Sequence, residues 1–249
     1  MIKVGVIDAD PIAYICSKDT LQESLDNVDD LISNALNAVH CSHYYMFLSD
    51  SPYFRHQVNT EYKGKRPTSE LKYLEEIKQY LRDKYGGVSY EGLEADDLSA
   101  YVMTTVSIAS PQFSFINMSI DKDVLQSVWG PWFNFKKFES GKTTKKDAAV
   151  FIFLQTLMGD VTDNIKGIPG VGEVKANNIL ATCKTLDEMR GTVLNEYCKK
   201  FKSTSVGIYE FQKNFRQVYL LRNTEDFKNE VGYIPKLPKL RITERWEEV

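Results

Sequence analysis

Residues 3–8 read KVGVID, a short apolar run that stops on an aspartate. An unbroken apolar run of this length suits a strand buried on both faces of a parallel sheet. Two later runs have the same form. YYMFL (44–48) leads into Ser49-Asp50, and FSFINM (113–118) leads into SIDKD (119–123). Between the runs lie segments of helical periodicity: Val28–Val39, Ser69–Tyr85 and Glu94–Ile108. In the second of these, Leu71, Leu74, Ile77 and Leu81 share one side. Strands alternating with helices predict an α/β fold, a mostly parallel sheet flanked by helices on both faces. From Thr144 the texture changes to four helices, Lys145–Met158, Glu173–Ala181, Leu186–Phe201 and Gly207–Leu221. The tail from Thr224, with Pro235 and Pro238, lacks strong periodicity. The expected division is an α/β domain over 1–143, a helical region over 144–223 and a tail over 224–249.

The chain has 249 residues, 43% hydrophobic and 26% charged, which fits a globular protein with a sizeable core. No run of about 18 apolar residues exists, so no membrane span or membrane partner is expected. MIKVGVIDAD enters a strand at once and lacks the apolar core of a signal peptide, so a cytosolic location is expected. Cys16, Cys41, Cys183 and Cys198 stand far apart without a CxxC and read as reduced thiols. His40 and His43 form an HxxH with no further ligand at zinc spacing. A net charge of −3 argues against nucleic acid, unless many acids are gathered into one metal-loaded cluster.

The acids have the pattern of such a cluster. Asp8, Asp50 and Asp121, with Asp123 just beyond, follow three different strands. The carboxyl ends of the strands are where open parallel sheets bind ligands. One aspartate there caps a helix or makes a turn; three form a pattern. GLEADDLSAY (92–101) adds Glu94, Asp96 and Asp97 at a helix start. One acid would satisfy the helix dipole; three within four residues repel unless cations bind. Asp160 and Asp163 repeat the i,i+3 spacing near a helix end, where negative charge is unfavourable. Oxygen ligands without histidine suit Mg²⁺ or Mn²⁺, and so many suit two ions. Two such ions activate water and stabilise the leaving oxygen of a phosphodiester. No Ser/His/Asp or Cys/His arrangement competes with this, and no phosphate loop of the G-x-x-x-x-G-K-[ST] type is present.

Just after the last acidic pair comes GIPGVG (167–172), opening a helix. Glycines let backbone approach a ligand closely, and a helix N-terminus offers free N–H groups to an anion. Lys166 and Lys175 flank the turn. Such a turn grips phosphate without reading sequence.

The segments VIDAD (6–10), LSD (48–50), EYKGKRP (61–67), LEADD (93–97), SIDKD (119–123) and MGDVTDNIKGIPGVG (158–172) occur in an order that resembles the 5′ nuclease superfamily, most closely its tailed-phage members. The superfamily includes flap endonucleases, the 5′-nuclease domain of bacterial DNA polymerase I and phage 5′→3′ exonucleases. The resemblance implies a PIN-like domain with an arch near 61–87 and a helix–hairpin–helix (helix–three-turn–helix) clamp. It implies Mg²⁺- or Mn²⁺-dependent hydrolysis of DNA, or of RNA paired to DNA, at 5′ ends, nicks or flaps in phage-type replication. A polymerase partner, the bacterial host cytoplasm and a K⁺ at the Gly167–Gly172 turn are further implications. The metal acids carry over to Asp8, Asp50, Glu94, Asp96, Asp97, Asp121, Asp123, Asp160 and Asp163, with Asp97 and Asp121 counted as catalytic. Lys63 and Arg66 carry over as contacts to the scissile phosphate, and Tyr62 as a stacking platform. Lys166, Gly167, Gly170, Gly172 and Lys175 carry over to the clamp.

Two departures stand out. Ile15 occupies a position where many relatives have a basic residue, with Lys18 the nearest base. Asp10 stands where many relatives have another residue, and serves either the metal site or the helix that follows Pro11. Pro67 disfavours helix through Arg66 and suits the first turn of the next helix. Lys63 and Arg66 are therefore expected on a mobile loop. A PIN-type ribonuclease and a catalytically silent branched-DNA binder are the alternative readings.

Overall fold

A computed structural model describes residues 1–65 and 71–242. In chain order the elements are β1 (Ile2–Asp8), α1 (Asp10–Cys16), α2 (Leu21–Ala38), β2 (His43–Phe47), α3 (Phe54–Val58) and α4 (Leu74–Asp83). Next come α5 (Ala95–Tyr101), which runs through a π turn (Val102–Val106) into α6 (Ser107–Ala109), then β3 (Phe113–Met118), α7 (Lys122–Ser127), β4 (Gly130–Asn134) and β5 (Glu139–Thr143). The chain ends with α8 (Lys145–Met158), α9 (Glu173–Leu180), α10 (Leu186–Phe201), α11 (Thr204–Val218), α12 (Thr224–Val231) and β6 (Arg241–Ile242). Among the described residues no helix is long and apolar enough to cross a membrane.

The chain forms two compact units, neither of them continuous in sequence. The sheet unit comprises Met1–Pro52, Ser69–Thr143 and Leu221–Val249; the helical unit comprises Tyr53–Thr68 and Thr144–Leu220. Among the described residues, 53–65 group with the later helices and 221–242 with the sheet.

In the sheet unit the strand order is β5-β4-β3-β1-β2-β6. The four central strands are parallel, and β5 and β6 close the two edges antiparallel. Central β1 lies between β3 and β2 and is buried from Val4 to Asp8. Ile12, Val28, Ile32, Leu36, Ile77 and Leu81 from α1, α2 and α4 pack with Ile7, Tyr44, Met46 and Met118 of the sheet. The α2 helix starts well before Val28, capped by Thr20, whose hydroxyl accepts the Glu23 N–H. The helix expected over Ser69–Tyr85 begins at Leu74, just after Tyr73 turns left-handed at φ 61°. Ser69 and Glu70 lie outside the described residues.

In the helical unit, Phe153, Leu157, Ile168, Val171, Leu180, Met189, Val193, Tyr197 and Phe211 form one core across α8 to α11. The Tyr197 hydroxyl donates to the Thr156 carbonyl at 2.6 Å inside it. Beside it, Tyr62 packs on Ile152, Ile165 and Val218.

Candidate functional site

In the sheet unit a chain of hydrogen bonds joins the strand ends. Asp8 ends β1 and is 3% exposed. Its Oδ2 accepts the Ser119 hydroxyl at 2.9 Å and its Oδ1 accepts the Asp10 N–H at 3.3 Å. Ser119 Oγ accepts the Asp121 N–H at 3.0 Å, and Asp121 Oδ1 accepts the Asp123 N–H at 2.7 Å. On the other side, Asp10 Oδ1 accepts the Ser49 N–H at 3.1 Å, and Ser49 Oγ accepts the Ala95 N–H at 2.8 Å. Three strand ends and the start of α5 are thereby stitched together. Asp10 thus serves the site as well as the start of α1. Ser49 and Ser119 link the acids, a role that the sequence reading passed over. Their signal was a serine one or two residues before the aspartate at two strand ends.

Burial first, then the negative charges of Asp10 and Asp121, push the Asp8 carboxyl up to about 8; the Ser119 hydrogen bond opposes them. Carboxylates held this close repel one another, and a cation relieves that repulsion. Among the described residues, no group of three or more His, Cys, Asp or Glu side chains is already drawn into a metal-holding geometry. The residues fit a hard cation in donor type and in their mutual repulsion.

The other expected ligands differ in setting. Glu94 is buried at the N-cap of α5, and Asp96 is half-buried in its first turn. Asp97 is 0% exposed, with Oδ2 accepting the Glu94 N–H at 3.2 Å and Oδ1 the Leu221 N–H at 3.0 Å. These bonds fix the start of α5 to the returning chain. Asp50 lies in a different setting. Arg82 of α4 donates to both of its oxygens, at 2.8 and 3.1 Å, and Ser89 donates to Oδ2. Burial opposes the Asp50 charge, but Ser89 and Arg82 outweigh it and hold the carboxyl below its ordinary range.

In the helical unit, Asp160 and Asp163 lie on one tight turn. Asp160 Oδ1 accepts the N–H groups of Thr162 and Asp163 at 2.7 and 3.1 Å, and Asp160 and Ile165 exchange main-chain bonds at 2.9 and 2.7 Å. Gly159 (φ 78°) and Gly167 (φ 61°) make the turn feasible, since a Cβ on Gly167 would meet Gly159 N at 2.3 Å. Gly167 is buried and its N–H donates to Asn214 Oδ1 at 3.0 Å. Gly170 (φ 83°) and Gly172 are exposed, with open space where a Cβ would stand. Lys166 and Lys175 are exposed beside them.

Tyr62 is packed into the helical unit. The ring is 4% exposed and its hydroxyl donates to Asp163 Oδ2 at 3.2 Å. Lys63 is held rather than loose. Its N–H donates to the Asp163 carbonyl at 3.0 Å, and its ammonium lies 5.4 and 5.2 Å from the Tyr53 and Tyr62 ring centres. Arg66 and Pro67 lie outside the described residues.

No family model matches the chain. It is similar to the flap endonuclease of Escherichia phage T5, 29% identical over 51% of each chain. It is 26% identical to the flap endonuclease Xni of a Shewanella strain over 78% of each. In structure it is similar to the phage T5 flap endonuclease in a pseudo-enzyme-product complex with DNA and metal ions. There the TM-score is 0.64 at 19% identity, with 88% of this chain and 89% of that one covered. The sequence match spans about half the length of the T5 relative. In fold and in sequence the chain is thus similar to proteins of the 5′ nuclease superfamily.

Proposed function

We propose that the chain is a divalent-metal-dependent 5′ nuclease that hydrolyses phosphodiester bonds at or near the 5′ ends of duplex, nicked or flapped DNA, or of RNA paired to DNA. The observation that carries this reading is the buried Asp8, joined through Ser119 to Asp121 and set beside Asp10 at the carboxyl edge of a parallel sheet. Asp8, Glu94, Asp96, Asp121 and Asp123 are the residues that would hold Mg²⁺ or Mn²⁺, and Asp160 and Asp163 are further candidates. Bound ions supply an activated water and neutralise the phosphate.

The chain's own residues do the rest. Ser119, Ser49 and Asp10 orient the acids. The exposed N–H groups of Gly170 and Gly172, with Lys166 and Lys175, receive backbone phosphates as a helix–hairpin–helix-type clamp, with K⁺ as an optional aid. Lys63 and Arg66 offset developing phosphate charge. The phage T5 complex with DNA and metal ions supports both partners.

A gel assay tests the reading with 5′-labelled blunt duplex, nicked duplex and 5′-flap substrates, each in Mg²⁺, in EDTA, and in Mg²⁺ with Asp96→Asn. Cutting that needs Mg²⁺ and is lost in the variant supports it. Tight binding without cutting in Mg²⁺ or Mn²⁺ overturns it in favour of a branch-binding protein.

A further inference from the structure

We propose that Asn164 is a positioning residue for Lys63, fastening the loop that carries this lysine to the turn that carries Asp163. The proposal rests on reading Lys63 as a phosphate contact. Asn164 is 7% exposed and sits in the left-handed region at φ 57°. Its side-chain N–H₂ donates to the Glu61 carbonyl at 2.9 Å. Two residues on, Lys63 is also left-handed, at φ 55°, and donates its own N–H to the Asp163 carbonyl. Two bonds thus tie the segments together, one from the Asn164 side chain to the Glu61 main chain and one from the Lys63 main chain to the Asp163 main chain. Neither conformation is the default for its residue type, so the surrounding bonds must hold it.

The rear of the loop is held as firmly. Asn59 Nδ2 donates to Gln217 Oε1 at 2.8 Å, and Asn59 Oδ1 accepts the Glu61 N–H at 3.1 Å. Arg55 is 1% exposed; its guanidinium donates to the Gln217 and Tyr219 carbonyls at 3.0 and 2.9 Å, at the end of α11. Burying a guanidinium is costly unless it is bonded, so its presence marks a junction that must not shift. A cation meant for a phosphate gains most when its geometry is set beforehand. The loop, fixed at Arg55 and Asn59 behind and at Asn164 in front, gives Lys63 such a setting.

The test is a double-mutant cycle on a 5′-flap substrate, reading the single-turnover cleavage rate and substrate Kd separately. Asn164→Gly keeps the left-handed backbone accessible while deleting the side-chain bond. The proposal expects Asn164→Gly to slow cleavage about tenfold with Kd nearly unchanged. In a Lys63→Ala background the same change should cost less than about twofold, because the residue it positions is gone. Equal effects in both backgrounds, or no effect of Asn164→Gly where Lys63→Ala is impaired, overturn the proposal. No effect of Lys63→Ala itself overturns the underlying reading of Lys63, a different and separately visible failure. Asn59→Ala, which loosens the loop from behind, repeats the cycle if the glycine variant does not fold.

Discussion

The two units carry opposite charge. The sheet unit has 16 Lys and Arg against 25 Asp and Glu, a net −9; the helical unit has 15 against 9, a net +6. The chain's −3 is the small remainder of these, which is why total charge was a poor guide to a nucleic-acid partner. The difference is one of task as well as sign. In the proposed scheme the acids of the sheet unit receive cations, and the N–H groups and lysines of the helical unit receive an anion.

The strongest way to break this contrast is to remove a proposed metal ligand in the first turn of α5. Asp96→Asn should lower Mg²⁺-dependent cleavage by about 10³-fold with the fold intact, as read by the gel assay and circular dichroism. The glycines of the helical unit sharpen the second half. Gly167→Ala should destabilise by about 3 kcal/mol, because its Cβ meets backbone, as urea unfolding would record. Gly170→Ala should cost only about 1 kcal/mol, the strain of a left-handed alanine, yet weaken duplex binding. Asp97→Ala should behave as a folding variant, losing about 2–4 kcal/mol because two main-chain N–H groups lose their acceptor. A fully stable Asp97→Ala protein without metal affinity would return Asp97 to the ligands.

A smaller effect is pH-dependent. The Asp8 carboxyl lies near 3.8 in the unfolded chain and about 8 in the metal-free folded protein. The folded state therefore holds the extra proton, and stability from this group is full below about pH 4 and lost as pH rises to about 8. In EDTA, Asp8→Asn should gain thermal stability relative to the parent across that window. The smallest effect expected is on salt dependence: Lys166→Ala and Lys175→Ala should each reduce the log–log salt slope of duplex binding by about 1.

Much of this was legible in the chain. β1, β2 and β3 announced themselves as apolar runs ending in aspartate, because strands buried on both faces carry little else. The Asp160–Gly172 turn was legible because left-handed backbone calls for glycine. The hairpin of β4 and β5 was not, since ESGKT (139–143) is a polar edge strand without a hydrophobic face. The short α1 was legible only through Asp10 and Pro11 at its start, seven residues being too few for a period to show. Burial of Arg55 and Tyr62 was hidden for a different reason: both depend on α8 or α11, about a hundred residues or more away in sequence. Charge and aromaticity there suggested a surface loop, and tertiary packing overrode it.

The most direct test of the account is a calorimetric Mg²⁺ titration at pH 7 in buffers of different ionisation enthalpy, comparing the parent with Asp8→Asn. If the acids of the sheet unit receive the cation, the parent should release about one proton on binding, and the variant should bind more weakly and release none. Tight Mg²⁺ binding by Asp8→Asn, or binding by the parent without proton release, would contradict the claim that this cluster is the metal site.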